Sequence, residues 1–88
     1  MAFERFRKRL GERVLMLRHE AGLSQEALAK RSRLTRQHLQ KLEAGTANPT
    51  LETLLNLAKA IGQAPSDLLK AAEQTVSSRR APDSRRDT

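Results

Sequence analysis

The feature that most constrains this chain is the spacing of its apolar residues, which recur at intervals of three and four and are cut into short runs by glycine. From Phe3 to about Ala21 they fall at Phe3, Phe6, Leu10, Val14 and Leu17, one stripe of an α-helix that Gly22 ends. Ser24 is a good N-cap for a second helix of barely two turns, with Gln25 and Glu26 in its first turn and Leu28 and Ala29 inward, before the pattern breaks near Ser32. Thr35 caps a third helix with Leu39 and Leu42 inward, and Gly45 supplies its left-handed stop. Asn48-Pro49 keeps the chain extended, and Thr50 caps a fourth helix with Leu51, Leu54, Leu57, Ala58 and Ile61 inward, which Gly62 closes. Pro65 opens a fifth at its first-turn position, with Leu68 and Leu69 as the apolar pair. The expectation is an all-α fold, a compact bundle of five helices.

Composition agrees with that expectation. Two Phe, no Trp and no Tyr in 88 residues leave Leu and Ala to build the core of one small domain. The absence of cysteine excludes a disulfide scaffold and thiolate metal sites, and His19 and His38 are a lone pair without a ligand motif, so no metal and no cofactor is expected. No apolar run approaches the roughly 18 residues that span a bilayer, and no apolar stretch follows the basic N-terminus. A cytoplasmic protein without a membrane partner is expected. After about Ala72 the periodicity gives way to Ser, Arg, Asp and Pro, which bury too little surface to offset ordering entropy. The chain therefore divides into residues 1–9, an N-terminal extension of the first helix, residues 10–72, the folded domain, and residues 73–88, a disordered basic tail.

The net charge is +7, and it is unevenly spread. Residues 1–23 carry six bases against three acids and residues 24–48 five against two, whereas residues 49–72 are balanced. A polyanion would meet the first half of the folded part. The third helix buries only Leu39 and Leu42, so it exposes Arg36, Gln37, Gln40 and Lys41. Arg can bridge guanine O6 and N7 and Gln can bridge adenine N6 and N7, which makes these four residues candidate base contacts, with Arg36 and Gln37 at the leading end. On their own they would equally describe a solvated helix face.

The run Leu23-Ser24-Gln25-Glu26-Ala27-Leu28-Ala29, followed by Leu34-Thr35-Arg36, Leu39, Leu42-Glu43-Ala44-Gly45 and Asn48-Pro49-Thr50-Leu51, resembles the Cro/CI-type, or Xre, helix-turn-helix family. The match runs from about Leu10 to Leu69. The resemblance implies a lambda-repressor-like bundle in which the second and third helices form the helix-turn-helix and the third enters the major groove of double-stranded DNA. It also implies a phosphate contact for Gln25 at the N-terminus of the second helix, and makes Thr35 and Asn48 further backbone candidates. His38, beside the readers, is placed to touch a phosphate. Glu43 belongs to no catalytic or metal motif, and no catalytic residue is assigned. The resemblance instead implies an ion pair between Glu43 and Arg18 that fixes the angle of the recognition helix.

Three departures from the family pattern carry expectations of their own. Arg33 stands where the family usually has Gly, so the turn either takes another geometry or gives up stability, while the side chain is placed to reach a phosphate. Gln63 and Ala64 replace an apolar residue and a capping Ser, which implies a weakly capped fifth helix with loose docking. Leu15 and Met16 point away from the apolar stripe of the first helix. Leu55 and Leu69 lie at the edge of the expected core and are candidates for a dimer interface. The reading is a sequence-specific transcriptional regulator, a repressor binding an inverted-repeat operator as a homodimer. Its alternatives are an antitoxin or restriction–modification controller of the same fold, with a toxin or other regulator as protein partner, and an interaction module without DNA readout that uses Leu15, Met16 and the tail.

Overall fold

The computed structural model describes residues 2–77, which form α1 (Ala2–Glu20), α2 (Gln25–Arg31), α3 (Arg36–Glu43), α4 (Leu51–Ala60) and α5 (Pro65–Ser77). There is no strand among the described residues. Side-chain oxygens start three of the helices. Ser24 Oγ accepts from Ala27 N at 3.0 Å, Thr35 Oγ1 from His38 N at 3.0 Å and Thr50 Oγ1 from Thr53 N at 3.1 Å, each satisfying a donor that the first turn leaves free.

The ends of α1 to α4 share one geometry. In each, the N–H two residues past the cap reaches back five residues to a carbonyl: Leu23 to Arg18, Leu34 to Ala29, Thr46 to Lys41 and Gln63 to Ala58. That closure needs a left-handed residue just before the donor. Gly22, Gly45 and Gly62 supply it in three turns, and Arg33, at φ 62°, supplies it in the fourth. Of the two outcomes the sequence allowed at Arg33, the chain therefore keeps the turn and bears the strain, about 1–2 kcal/mol for a side chain in this conformation. Arg33→Gly should raise the melting temperature by roughly 4–8 °C, the shift that about 1 kcal/mol makes in a domain of this size. A thermal melt followed by circular dichroism checks this; an unchanged or lower midpoint would mean that the Arg33 side chain stabilises the fold.

The core collects Leu10, Val14 and Leu17 of α1, Leu28 and Ala29 of α2, Leu39 and Leu42 of α3, Leu57 and Ala58 of α4, and Leu68 and Ala72 of α5. α1 lies against α3 and α5, and α2 against α3 and α4. Two residues expected inside are outside. Phe3 is 54% exposed, because it precedes the point where α1 meets the rest of the bundle, and its ring lies under the Arg7 guanidinium at 5.5 Å. Leu51 is 68% exposed; it opens α4 and shares a face with Leu55, while Thr53 takes a buried position in the same turn.

α5 differs from expectation in two ways. Ala64 offers only its carbonyl at the helix start, accepting from Asp67 N and Leu68 N, yet Leu68 and Ala72 are almost wholly buried, so burial holds the helix against α1 without a strong cap. The helix also continues to Ser77, past the boundary expected at 72. Of the expected disordered tail, residues 78–88 lie outside the described residues.

Candidate nucleic-acid interface

Four polar residues of α3 share one surface because their positions are one and four residues apart. Arg36, Gln37, Gln40 and Lys41 are all exposed, opposite the buried Leu39 and Leu42. They present guanidinium, ammonium and amide groups, the set that hydrogen-bonds base edges. Thr35, Gln37, His38, Lys41 and Ala47 line one shallow depression, so His38 and the loop after α3 border the reading face. His38 is half-buried there.

The orientation of α3 is set from beneath. Arg18 of α1 is buried and donates through Nε to Glu43 Oε2 at 2.7 Å, through Nη2 to Glu43 Oε1 at 3.2 Å and through Nη1 to the Leu23 carbonyl at 2.9 Å. The two side chains are 8% and 5% exposed, so this is a buried, bidentate pair whose third guanidinium nitrogen is also hydrogen-bonded. Gln25 donates through Nε2 to Glu43 Oε1 at 3.0 Å and accepts from Gln40 Nε2 at 3.3 Å. The first residue of α2, the last residue of α3 and one of the candidate readers are thus joined to the buried pair.

Asn48 is exposed and its side-chain oxygen accepts from Arg7 Nη1, tying the loop after α3 to the start of α1. Thr35 is exposed and is occupied as the cap of α3. Arg33 is not gathered with these residues: it lines a different depression, with Arg31, Asn56, Lys59 and Ala60. Leu55 is 44% exposed on α4 and Leu69 is half-buried on α5. Of the apolar pair on α1, Met16 is exposed, with its sulfur accepting from Arg13 Nη1, and Leu15 is half-buried.

Gly11 escaped the sequence reading. It is buried where α1 crosses the end of α3, and a Cβ there would lie 2.8 Å from the Glu43 carbonyl oxygen and closer still to that of Leu42. An isolated Gly inside a helical pattern was the available signal, since such a residue usually has a packing reason. The ties of Gln25 and Asn48 gave no signal, because neither spacing nor composition reports a contact across 18 or 41 residues.

Comparison with known proteins agrees with this arrangement. Residues 14–68 match the model of a helix-turn-helix family. The chain is 41% identical over 69 residues to the uncharacterized HTH-type transcriptional regulator y4dJ of Sinorhizobium fredii, a match that covers 78% of this chain and 90% of that protein. Among solved structures it is similar to the restriction-modification controller protein C.AhdI of Aeromonas hydrophila, with 39% identity and a TM-score of 0.68 over 69% of this chain and 92% of that one. It is also similar to the clp gene regulator ClgR of Corynebacterium glutamicum, with 26% identity and a TM-score of 0.77 over 90% and 84% of the two chains.

Proposed function

The chain belongs to the Cro/CI-type helix-turn-helix family of DNA-binding transcriptional regulators, and from that premise we propose that it is a homodimeric repressor of an inverted-repeat operator. Each protomer lays α3 in a major groove, with half-sites about 10 base pairs apart, and occupancy of the site blocks a promoter. The observation that carries this reading is α3 itself: a short helix that exposes Arg36, Gln37, Gln40 and Lys41 together and is anchored beneath by Arg18 and Glu43. Arg36 and Gln37 read bases first, with Gln40 and Lys41 one turn further. Gln25, Thr35, His38 and Asn48 hold the DNA backbone, Gln25 and Asn48 being oriented by their bonds to Glu43 and Arg7. The likeness to C.AhdI favours a controller of a restriction–modification operon over an antitoxin.

Dimerisation is assigned to the exposed apolar face of α4, Leu51 and Leu55, together with Leu69 of α5. Two large apolar side chains on one helix face favour burial by a second copy, at roughly 25 cal/mol for each Å² covered. No helix among the described residues is long and apolar enough to cross a membrane, in keeping with action on DNA in the cytoplasm.

Sedimentation and footprinting test the proposal together. Wild type should sediment as a dimer and protect two symmetric patches about one helical turn apart. Leu55→Glu should sediment as a monomer and bind the same site at least tenfold more weakly. A wild-type monomer that protects one asymmetric patch would overturn the dimeric part of the proposal.

A further inference from the structure

On the far end of the helix-turn-helix from the network of Gln25, three cations from separate elements converge. Arg31 at the end of α2, Arg33 in the following turn and Lys59 at the end of α4 line one depression with Asn56 and Ala60. All three bases are exposed, and none of their side chains has a hydrogen-bond or ion-pair partner among the described residues. Arg31 and Lys59 each lie in a last helical turn, where a cation is favoured by the free carbonyls. That accounts for two charges on two helices; it accounts neither for their meeting in one depression nor for Arg33, which lies past the helix end. Arg33 also occupies a left-handed position that Gly takes in the three equivalent turns. The chain therefore carries strain to place a third cation beside two others that repel it.

We propose that this depression is a docking site for an acidic segment of a partner protein. Its size and its donors favour carboxylates on a chain over a small anion. The volume is about 540 Å³, within the ~300–1,000 Å³ of sites that enclose ligands much larger than one ion. Phosphate sites are commonly built from free backbone N–H groups at a helix N-terminus. Here two helices present their C-terminal ends, and the N–H groups of Ser32, Arg33 and Leu34 are all engaged by carbonyls of α2. What remains is three long, flexible side-chain cations and an amide lining one depression, suited to spaced carboxylates by charge complementarity. The candidate base readers Gln37 and Lys41 line a different depression from this one.

The test is a titration of the isotopically labelled full chain, followed by NMR, with a synthetic Glu-rich decapeptide and separately with inorganic phosphate at equal ionic strength. The peptide should give saturable shifts at Arg31, Arg33, Lys59 and the Asn56 side-chain amide. Binding should weaken at least tenfold in Arg31→Glu/Lys59→Glu and stay within twofold of wild type in Arg36→Ala/Gln37→Ala. DNA binding by the charge-reversed variant should remain within about threefold of wild type. Shifts centred on Arg36 and Lys41 would show the peptide imitating DNA and would overturn the proposal. Reproduction of the shifts by phosphate would overturn it in favour of a small-anion site, and a parallel loss of DNA binding in favour of a nucleic-acid contact. Should charge reversal unfold the chain, Arg31→Gln/Lys59→Gln takes its place with the same criteria.

Discussion

Gly11→Ala should destabilise the protein by roughly 3 kcal/mol, although the same change in an ordinary helix interior gains about 1 kcal/mol. The reversal follows from what surrounds the added methyl group. Its neighbours are the carbonyl oxygens of Leu42 and Glu43, backbone atoms at the end of α3 that have no rotamer to give. Either α1 moves away, opening the packing around Leu10 and Val14, or α3 tilts. At about 4–8 °C for each kcal/mol, the melting midpoint should fall by well over 10 °C. Tilting α3 also displaces Arg36 and Gln37, so DNA affinity measured below the melting range should fall as well. A midpoint equal to wild type would show that the close approach of α1 and α3 relaxes freely.

Removing one partner of the Arg18–Glu43 pair should have the largest effect of any side-chain truncation. Arg18→Ala leaves a carboxylate with only Gln25 to satisfy it, and Glu43→Ala leaves a guanidinium buried with the Leu23 carbonyl as its acceptor. Breaking a buried pair in this way costs about 3–5 kcal/mol. A small domain has about 5–15 kcal/mol in total, so either variant should be partly unfolded near 37 °C. The double change Arg18→Met/Glu43→Leu discriminates between charge and packing, because an apolar pair of similar volume carries no desolvation cost. It should recover most of the stability in a denaturant titration, yet bind DNA more weakly than wild type, since Gln25 would lose the acceptor that orients it. A double variant no more stable than the single ones would mean that shape, rather than pairing, dominates at this site.

Much of the fold was legible in the sequence because its boundaries are local chemistry. Ser24, Thr35 and Thr50 cap the helices they were assigned to, and Gly22, Gly45 and Gly62 end them, since caps and left-handed turns depend on a few adjacent residues. Where sequence reasoning failed, the deciding contact was remote. Periodicity put Leu51 and Phe3 on inward stripes, but whether a neighbour reaches the first turn of a helix is a property of the bundle. Gly11 is visible in the sequence only as an isolated Gly in a helical pattern; what it packs against, two carbonyls more than thirty residues away, is not. That Arg33 shares a depression with Asn56 and Lys59 likewise depends on where α4 packs.

The face of α3 was legible in residue type before it was legible in space. Arg36, Gln37, Gln40 and Lys41 could be chosen because two leucines use up the buried side of an eight-residue helix. That Gln40 is tied through Gln25 to Glu43 could not be chosen, and it makes one candidate reader part of the framework beneath it.

The most direct measurement is selection of genomic fragments by the purified protein, followed by sequencing, with wild type and Arg36→Ala/Gln37→Ala compared at one stated salt concentration. Phosphate contacts alone give salt-dependent binding without sequence preference, so salt must be matched for the comparison to report readout. Wild type should enrich an inverted repeat, and the double variant, folded by circular dichroism, should enrich none. Enrichment of the same repeat by both proteins, or of no motif by either, would contradict base readout by the exposed face of α3.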